Sequence, residues 1–241
     1  GFSLASYAQL LEPYYLKSLL LTLRLALISA VIAVVLAIPV AYTMSRLTSP
    51  FVRRIFLAAV LLPLLVNLLL QSYGWLVILG PGGMLNQALM GLGLIKRPIM
   101  LLYNQNGVLM GLVQTAFPLA VLPIASAMRG VARTYEEAAA TLGASRWQVF
   151  RQVVLPMSMP GIITGATLVF AYNASSFVVP LLLGGRRVPM LAVMVHDQIA
   201  PLMNWPAASA AGVVLIVTTL AIMTLSEYIT GRRRRMLEAS Q

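Results

Sequence analysis

The sequence predicts an all-α fold, a polytopic bundle of membrane-spanning helices forming one domain over residues 1–241. Three observations predict it: the composition, the spacing of charge along the chain, and the sidedness of the basic residues. Of 241 residues, 60% are hydrophobic and 10% charged, with a mean hydropathy of +0.89. A soluble domain is nearer half apolar and about a quarter charged, so this chain has too little charge to cover an aqueous surface. Five stretches contain no Asp, Glu, Lys or Arg: 25–45, 55–95, 98–128, 152–185 and 198–226. Each has room for a bilayer-crossing helix of about 20 residues.

Taken in order, the expected spans are 17–44, 55–79, 107–129, 153–176 and 205–230. The first is an unbroken run rich in Leu, Ala, Val and Ile, too long and too deep in the chain for a signal peptide. Arg24 lies near its outer end, where a long side chain snorkels to the interface; a substrate contact is the alternative. The second ends at the breaker cluster Gly80, Pro81, Gly82 and Gly83, and the stretch 84–94 beyond it is too short to cross. The fourth is followed by Gly184, Gly185, Arg186, Arg187, Val188 and Pro189, after which 190–200 suits a short interfacial helix. Asn204, Trp205 and Pro206 open the last span, with Trp205 in the aromatic belt.

Sidedness follows from the bases. Arg46, Arg53, Arg54, Arg129, Arg133, Arg146, Arg151, Arg232, Arg233, Arg234 and Arg235 fall on one side, and Lys17, Lys96, Arg97, Arg186 and Arg187 on the other. Eleven against five makes the first side cytoplasmic. The net charge of +11 therefore reads as the positive-inside rule in preference to nucleic-acid binding. The four terminal arginines suit an anionic inner leaflet, a regulatory contact being the alternative. Five spans leave the N-terminus outside, and the chain opens at Gly1, Phe2 and Ser3 without an initiator Met. An earlier span preceding this sequence, six in all, is the expectation.

Several chemistries are excluded. With no cysteine and one histidine, there is no disulfide, no thiolate metal site and no multi-histidine metal or haem site. His196 falls on the outer side, in an interfacial or structural role. No phosphate-binding G-x-x-x-x-G-K-[ST] loop occurs. The polar residues within spans are functional candidates: Asn67, Gln71, Gln114, Tyr172, Asn173, Ser175 and Ser176, with the aromatic faces of Tyr73 and Trp75. They either line a path for solute or act as hydrogen-bond glue between helices. Pro63, Pro118, Pro123, Pro156 and Pro160 add kinks suited to a gate, or to irregular packing.

The cytoplasmic loop 130–152 is the most informative segment. Thr134 and Glu137 form a capping-box pattern that starts a helix. Glu136 to Leu142 is rich in Ala, Gly143 ends the helix, and Ser145 caps a second helix from Arg146 to Val153. Pro156 bends the entry into the next span. Arg146, Trp147 and Arg151 suit a docking surface.

Within it, Glu137, Ala138 and Ala139, three residues, Gly143, nine residues, Val153, one residue, then Leu155 and Pro156 resemble the EAA motif of type I ABC importer permeases. Val153 replaces the usual Ile. The segment Phe177, Val178, Val179, Pro180, Leu181, Leu182, Leu183, Gly184 and Gly185, with Asn204, Trp205 and Pro206, resembles the spermidine/putrescine branch. The G-E-F-G signature of molybdate and sulfate permeases is absent; Asn173, Ala174, Ser175 and Ser176 stand there.

The resemblance implies the type I permease fold, with 134–152 as a coupling helix docking on two copies of a cytoplasmic ATP-binding subunit. That partner would hold ATP and Mg, with no cofactor in this chain. Glu137, Ala138, Ala139, Gly143, Arg146, Trp147, Leu155 and Pro156 would serve coupling; Glu137 would pair with a base on the ATPase or complete the cap. It further implies an inner (plasma) membrane location, a related but different second permease chain, an extracytoplasmic solute-binding protein, lipid contacts and no nucleic acid. A polyamine is the implied solute, with an amino acid, opine, organophosphonate or iron as alternatives. An ion-driven secondary transporter would show intramembrane acids, and none lies between Glu12 and Glu136.

Overall fold

The computed structural model describes residues 10, 12–200 and 203–238, with side chains described as far as residue 226. The opening residues Ser3, Leu4, Ala5, Ser6 and Tyr7, and the side chains of Glu227 and the four terminal arginines, lie outside the described residues. The described residues form no strand.

The helices are α1 Pro13–Arg46, α2 Pro50–Leu65, α3 Leu68–Leu79, α4 Met84–Gly91, α5 Gln105–Gly130 and α6 Arg133–Thr141, then α7 Arg146–Met157, α8 Met159–Ser175, α9 Leu191–Ile199 and α10 Trp205–Glu238. Pro13–Arg46, Leu68–Gly91, Gln105–Gly130 and Trp205–Ser226 are long and apolar enough to cross a membrane, and the bent pair α7–α8 makes a fifth candidate.

The first, third and fifth expected spans fall on α1, α5 and α10. Two expectations need correction. The stretch 55–79 is not one helix: α2 stops at Leu65 and α3 restarts at Leu68. Pro63 lies within α2, and Val66 N still donates to Leu62 O (3.2 Å), so the break falls at Val66 and Asn67. Asn67 then turns its Oδ1 onto Leu69 N (2.9 Å) and Leu70 N (3.4 Å), satisfying the new helix start. The stretch 153–176 is likewise not one straight helix: α7 ends at Met157 and meets α8 at 66°, a broken pair. The turn Phe150–Val154 is π-helical, with Leu155 N donating to Phe150 O. Pro156 and Pro160 flank the bend at Ser158 and withhold two amide donors there.

The core forms where α5 packs between α1 and α8. Ala26, Ala30, Ala33, Ala37 and Ala41 are buried along α1 and cluster with Ala116, Ala120, Val121 and Ile124 of α5. Small side chains let helix backbones approach closely, which is how packing stabilises helix pairs in lipid. The closest approach involves α8: a Cβ at Gly161 would lie 2.4 Å from Ala127 Cβ and 2.6 Å from Pro123 O.

Buried polar groups pin the same helices. Asn173 Nδ2 donates to Ser29 Oγ at 2.8 Å, joining α8 to α1. Leu191 N donates to Thr22 Oγ1 at 2.8 Å, joining the start of α9 to α1. At the other end from the α5–α6 connection, Asn86 is fully buried and clamps the loop after α3. It donates to Gly80 O and Ile99 O (both 3.0 Å) and accepts from Ile99 N (2.8 Å).

Gly161→Val therefore overpacks the α5–α8 contact and lowers unfolding stability in detergent by about 1–3 kcal/mol. Gly212→Val, where a Cβ meets nothing within 4 Å, stays within about 0.5 kcal/mol of the parent.

Candidate functional site

Two sets of residues stand out: the helical hairpin α6–α7, and a band of polar side chains within the bundle.

The hairpin begins where α5 ends. Val131 is buried and its N donates to Met128 O. Ala132, in extended conformation, precedes α6 without a side-chain cap. The expected Thr134 cap is thus corrected. Val131 anchors the chain so that the helix restarts at Arg133, and Thr134 lies inside the first turn.

The glycine turn forms as the sequence predicts. Gly143 has φ +85°, the left-handed region. Gly143 N donates to Ala140 O (3.0 Å) and Ala144 N to Ala139 O (3.1 Å), closing the last turn of α6. Ser145 then caps α7 in a reciprocal capping box: its Oγ accepts from Gln148 N, and Gln148 Oε1 accepts from Ser145 N at 2.7 Å.

No residue of α6 is buried. Glu137 and Ala138 are exposed and Ala139 partly so; Gly143 and Arg146 are exposed at the turn. Trp147 is 67% exposed and Leu142 89% exposed, with Tyr135 also open. Tyr135 and Leu142 were not singled out in the sequence, although a Leu directly before a helix-ending Gly is a place where an apolar side chain is left at a turn. The helix, turn and second helix together present an unpartnered apolar ridge edged by Glu137 and Arg146. Leu155 is half-buried and Pro156 exposed, where α7 approaches the bundle; they shape the bend and do not join the ridge.

The hairpin is tied to the bundle by contacts that sequence spacing does not reveal. Arg46, at the end of α1, forms an ion pair with Glu136 of α6. Its Nη1 also donates to Val131 O (3.4 Å), and its guanidinium lies 5.9 Å from the centre of the Tyr42 ring. Tyr42 meets Phe150 edge-on at 5.0 Å, and Phe150 stacks on Trp147 at 5.6 Å.

The polar band divides. Gln114 Oε1 on α5 accepts from both Gln71 Nε2 (2.8 Å) and Trp75 Nε1 (3.1 Å) on α3. Trp75 and Gln114 border an apolar groove of about 340 Å³ with Ile32, Leu36, Leu109, Met110 and Val113. Tyr73 is exposed on the same helix. Asn67 is exposed, with its oxygen engaged in capping α3. Asn173 is fully buried against Ser29, which makes it a helix-to-helix pin. Tyr172 and Ser176 are half-buried at the end of α8, where Ser176 N donates to Asn173 O. The structure thus brings Gln71, Trp75 and Gln114 together, while Asn67, Asn173 and Ser176 bond elsewhere. Among the described residues no cluster of three or more His, Asp or Glu is placed to hold a metal.

Comparison with known proteins fits this architecture. A family described as the binding-protein-dependent transport system inner membrane component matches residues 21–235. The spermidine/putrescine transport system permease protein PotB of Escherichia coli (strain K12) is 33% identical over 98% of this chain and 84% of its own length. The molybdenum transport system permease protein ModB of Azotobacter vinelandii is 30% identical over 89% of this chain and 94% of its own. Among solved structures, a bacterial ABC transporter involved in the import of the acidic polysaccharide alginate superposes with a TM-score of 0.80 at 18% identity, covering 96% of this chain and 84% of that one. The MetNI methionine ABC transporter in an inward-facing conformation gives 0.64 at 17% identity, covering 92% and 94%. At these identities the structures speak for the fold.

The Gln114 acceptor generates a measurable expectation. Gln114→Leu strands two donors in an apolar setting and lowers unfolding stability by about 1–3 kcal/mol. Adding Gln71→Leu costs less than the sum of the two single changes, because one stranded donor is removed.

Proposed function

The chain belongs to the family of binding-protein-dependent transport system inner membrane components, as the permease subunit of an ABC importer, and we propose that it imports a polyamine using ATP hydrolysed by a partner. The observation that carries the coupling half is the exposed hairpin. Its motif residues Glu137, Ala138, Ala139 and Gly143 lie on a helix and turn that leave Leu142 and Trp147 open. A large aromatic beside an Arg, standing out from a membrane bundle, is the composition of an interface hot spot.

In this reading the hairpin faces the cytoplasm, as the bias of eleven bases against five supports. It seats in a cytoplasmic ATP-binding subunit, two copies of which serve the complex and hold the ATP and Mg. The small side chains of Ala138 and Ala139 allow close seating, and Glu137 pairs with a base on that subunit. A second, related permease completes the pore, and an extracytoplasmic binding protein delivers the solute.

The polyamine assignment rests on the spermidine/putrescine permeases, at 33% identity over nearly the whole chain. The expected spans carry no carboxylate before Glu227. Cationic solute would therefore be handled by amide oxygens and aromatic faces, with Gln71, Tyr73, Trp75 and Gln114 as the nearest set. Asn67, Tyr172 and Ser176 serve as further polar positions along the path; Asn173 contributes through packing. A second reading, import of another solute such as an oxyanion, has the molybdenum permease relative in its favour. The absence of G-E-F-G at 173–176 weighs against it.

Reconstitution with the ATP-binding subunit, second permease and binding protein tests both halves. Labelled spermidine is taken up with ATP, and excess putrescine but not molybdate competes. Trp147→Ala weakens association with the ATP-binding subunit by about tenfold or more, and Glu137→Lys lowers uptake while leaving the thermal unfolding midpoint unchanged. Molybdate competition would move the assignment to the second reading. Full association after Trp147→Ala would remove the hairpin from the interface.

A further inference from the structure

We propose that Arg46 and Glu136 are positioning residues that deliver the displacement of the hairpin to α1. The inference rests on the importer reading above and adds a route through this chain.

The ties of α6 are few. It follows Val131 and Ala132 at one end and ends at the glycine turn at the other, where a Cβ on Gly143 would meet nothing within 4 Å. None of its side chains is buried in the bundle. Its one ion pair among the described residues is Glu136 with Arg46. The two side chains are only 20% and 18% exposed, so the pair is largely shielded from water. Away from water the two charges attract strongly, and separating them leaves each charge shielded and unpaired, which is costly.

The second helix of the hairpin converges on the same turn of α1. Trp147 stacks on Phe150, Phe150 meets Tyr42, and Tyr42 lies beneath the Arg46 guanidinium. Both arms of the docking surface thus end on residues 42–46. From there α1 continues into the alanine stripe buried against α5, the Ser29–Asn173 bond to α8 and the Thr22–Leu191 bond to α9. The helix runs unbroken past the internal Pro39, and a continuous helix with discrete polar pins is the kind of element through which two sites exchange energy. Val154 of α7 also packs into the core, but it lies beside the Ser158 bend; along the backbone, motion would cross that bend or the Val131–Ala132 link, both breaks in regular helix.

The chain has no cysteine, which permits a reversible test in the assembled transporter. The readouts are solute taken up per ATP hydrolysed and co-purification of the ATP-binding subunit. Arg46→Met and Glu136→Gln each keep the ATP-binding subunit bound and ATP hydrolysis running, while uptake per ATP falls by about fivefold or more. The paired variant Arg46→Cys with Glu136→Cys behaves likewise when reduced. Bridging the two thiols with a short bifunctional methanethiosulfonate restores uptake per ATP to near the parent value, and dithiothreitol lowers it again. Equal uptake per ATP in the bridged and reduced forms overturns the proposal, as do single variants that transport normally. Single variants that shed the ATP-binding subunit overturn it too, since the pair would then serve only to shape the docking surface. Failure of the importer reading is distinct: the unsubstituted complex itself would show neither binding-protein-stimulated hydrolysis nor uptake.

Discussion

In hydrocarbon the apolar surface of a helix gains little by leaving lipid for protein, so helices stay together only where they fit closely and satisfy each other's polar groups. The packing of α5 between α1 and α8 supplies the close fit and one buried polar tie. Gly161 brings α8 within contact of Pro123 and Ala127, the alanine stripe of α1 lies against α5, and Asn173 binds Ser29. A side chain even slightly larger at Gly161 has no room. The positions of the other elements depend on this three-helix frame.

One consequence appears at the end where α5 leaves the frame. Because α1 and α5 are locked side by side, Arg46 at the end of one and Val131 just past the end of the other come within hydrogen-bonding distance. The same guanidinium then holds Glu136. The hairpin is thus held to the frame by this pair on α6 and by the buried Val149 and Val154 of α7, with the apolar ridge of Leu142 and Trp147 left exposed. Such a ridge is costly to leave in water and gains from a partner. A close-packed frame, a hairpin whose first helix has no buried residue and an exposed ridge are the parts a subunit needs if it is to be moved by something outside the membrane.

What was legible in the sequence divides by range. The apolar runs announced α1, α5 and α10, since length and hydropathy suffice for a helix that crosses lipid. The turn at Gly143 and the cap at Ser145 were legible because both are settled by neighbours within three residues. Thr134 misled because its pattern is also local, yet Val131, held by Arg46, decides where α6 starts. The break at Asn67 has a signal in the Asn itself, but it lies inside an apolar run that by hydropathy alone reads as one span. The Arg46–Glu136 pair and the Gln114 acceptor join residues far apart in the chain, and no spacing rule reaches them. Asn173 could be read as pore or glue until its burial against Ser29 was seen.

In the proposed importer the α6–α7 hairpin is the surface on which the ATP-binding subunit sits and pushes. Its most direct test is a photo-crosslinking side chain placed at position 142 in the assembled complex in native membranes. The expected result is a covalent adduct with the ATP-binding subunit whose yield changes when ATP binds. An adduct only with lipid or with the permease itself, unchanged by ATP, would contradict it.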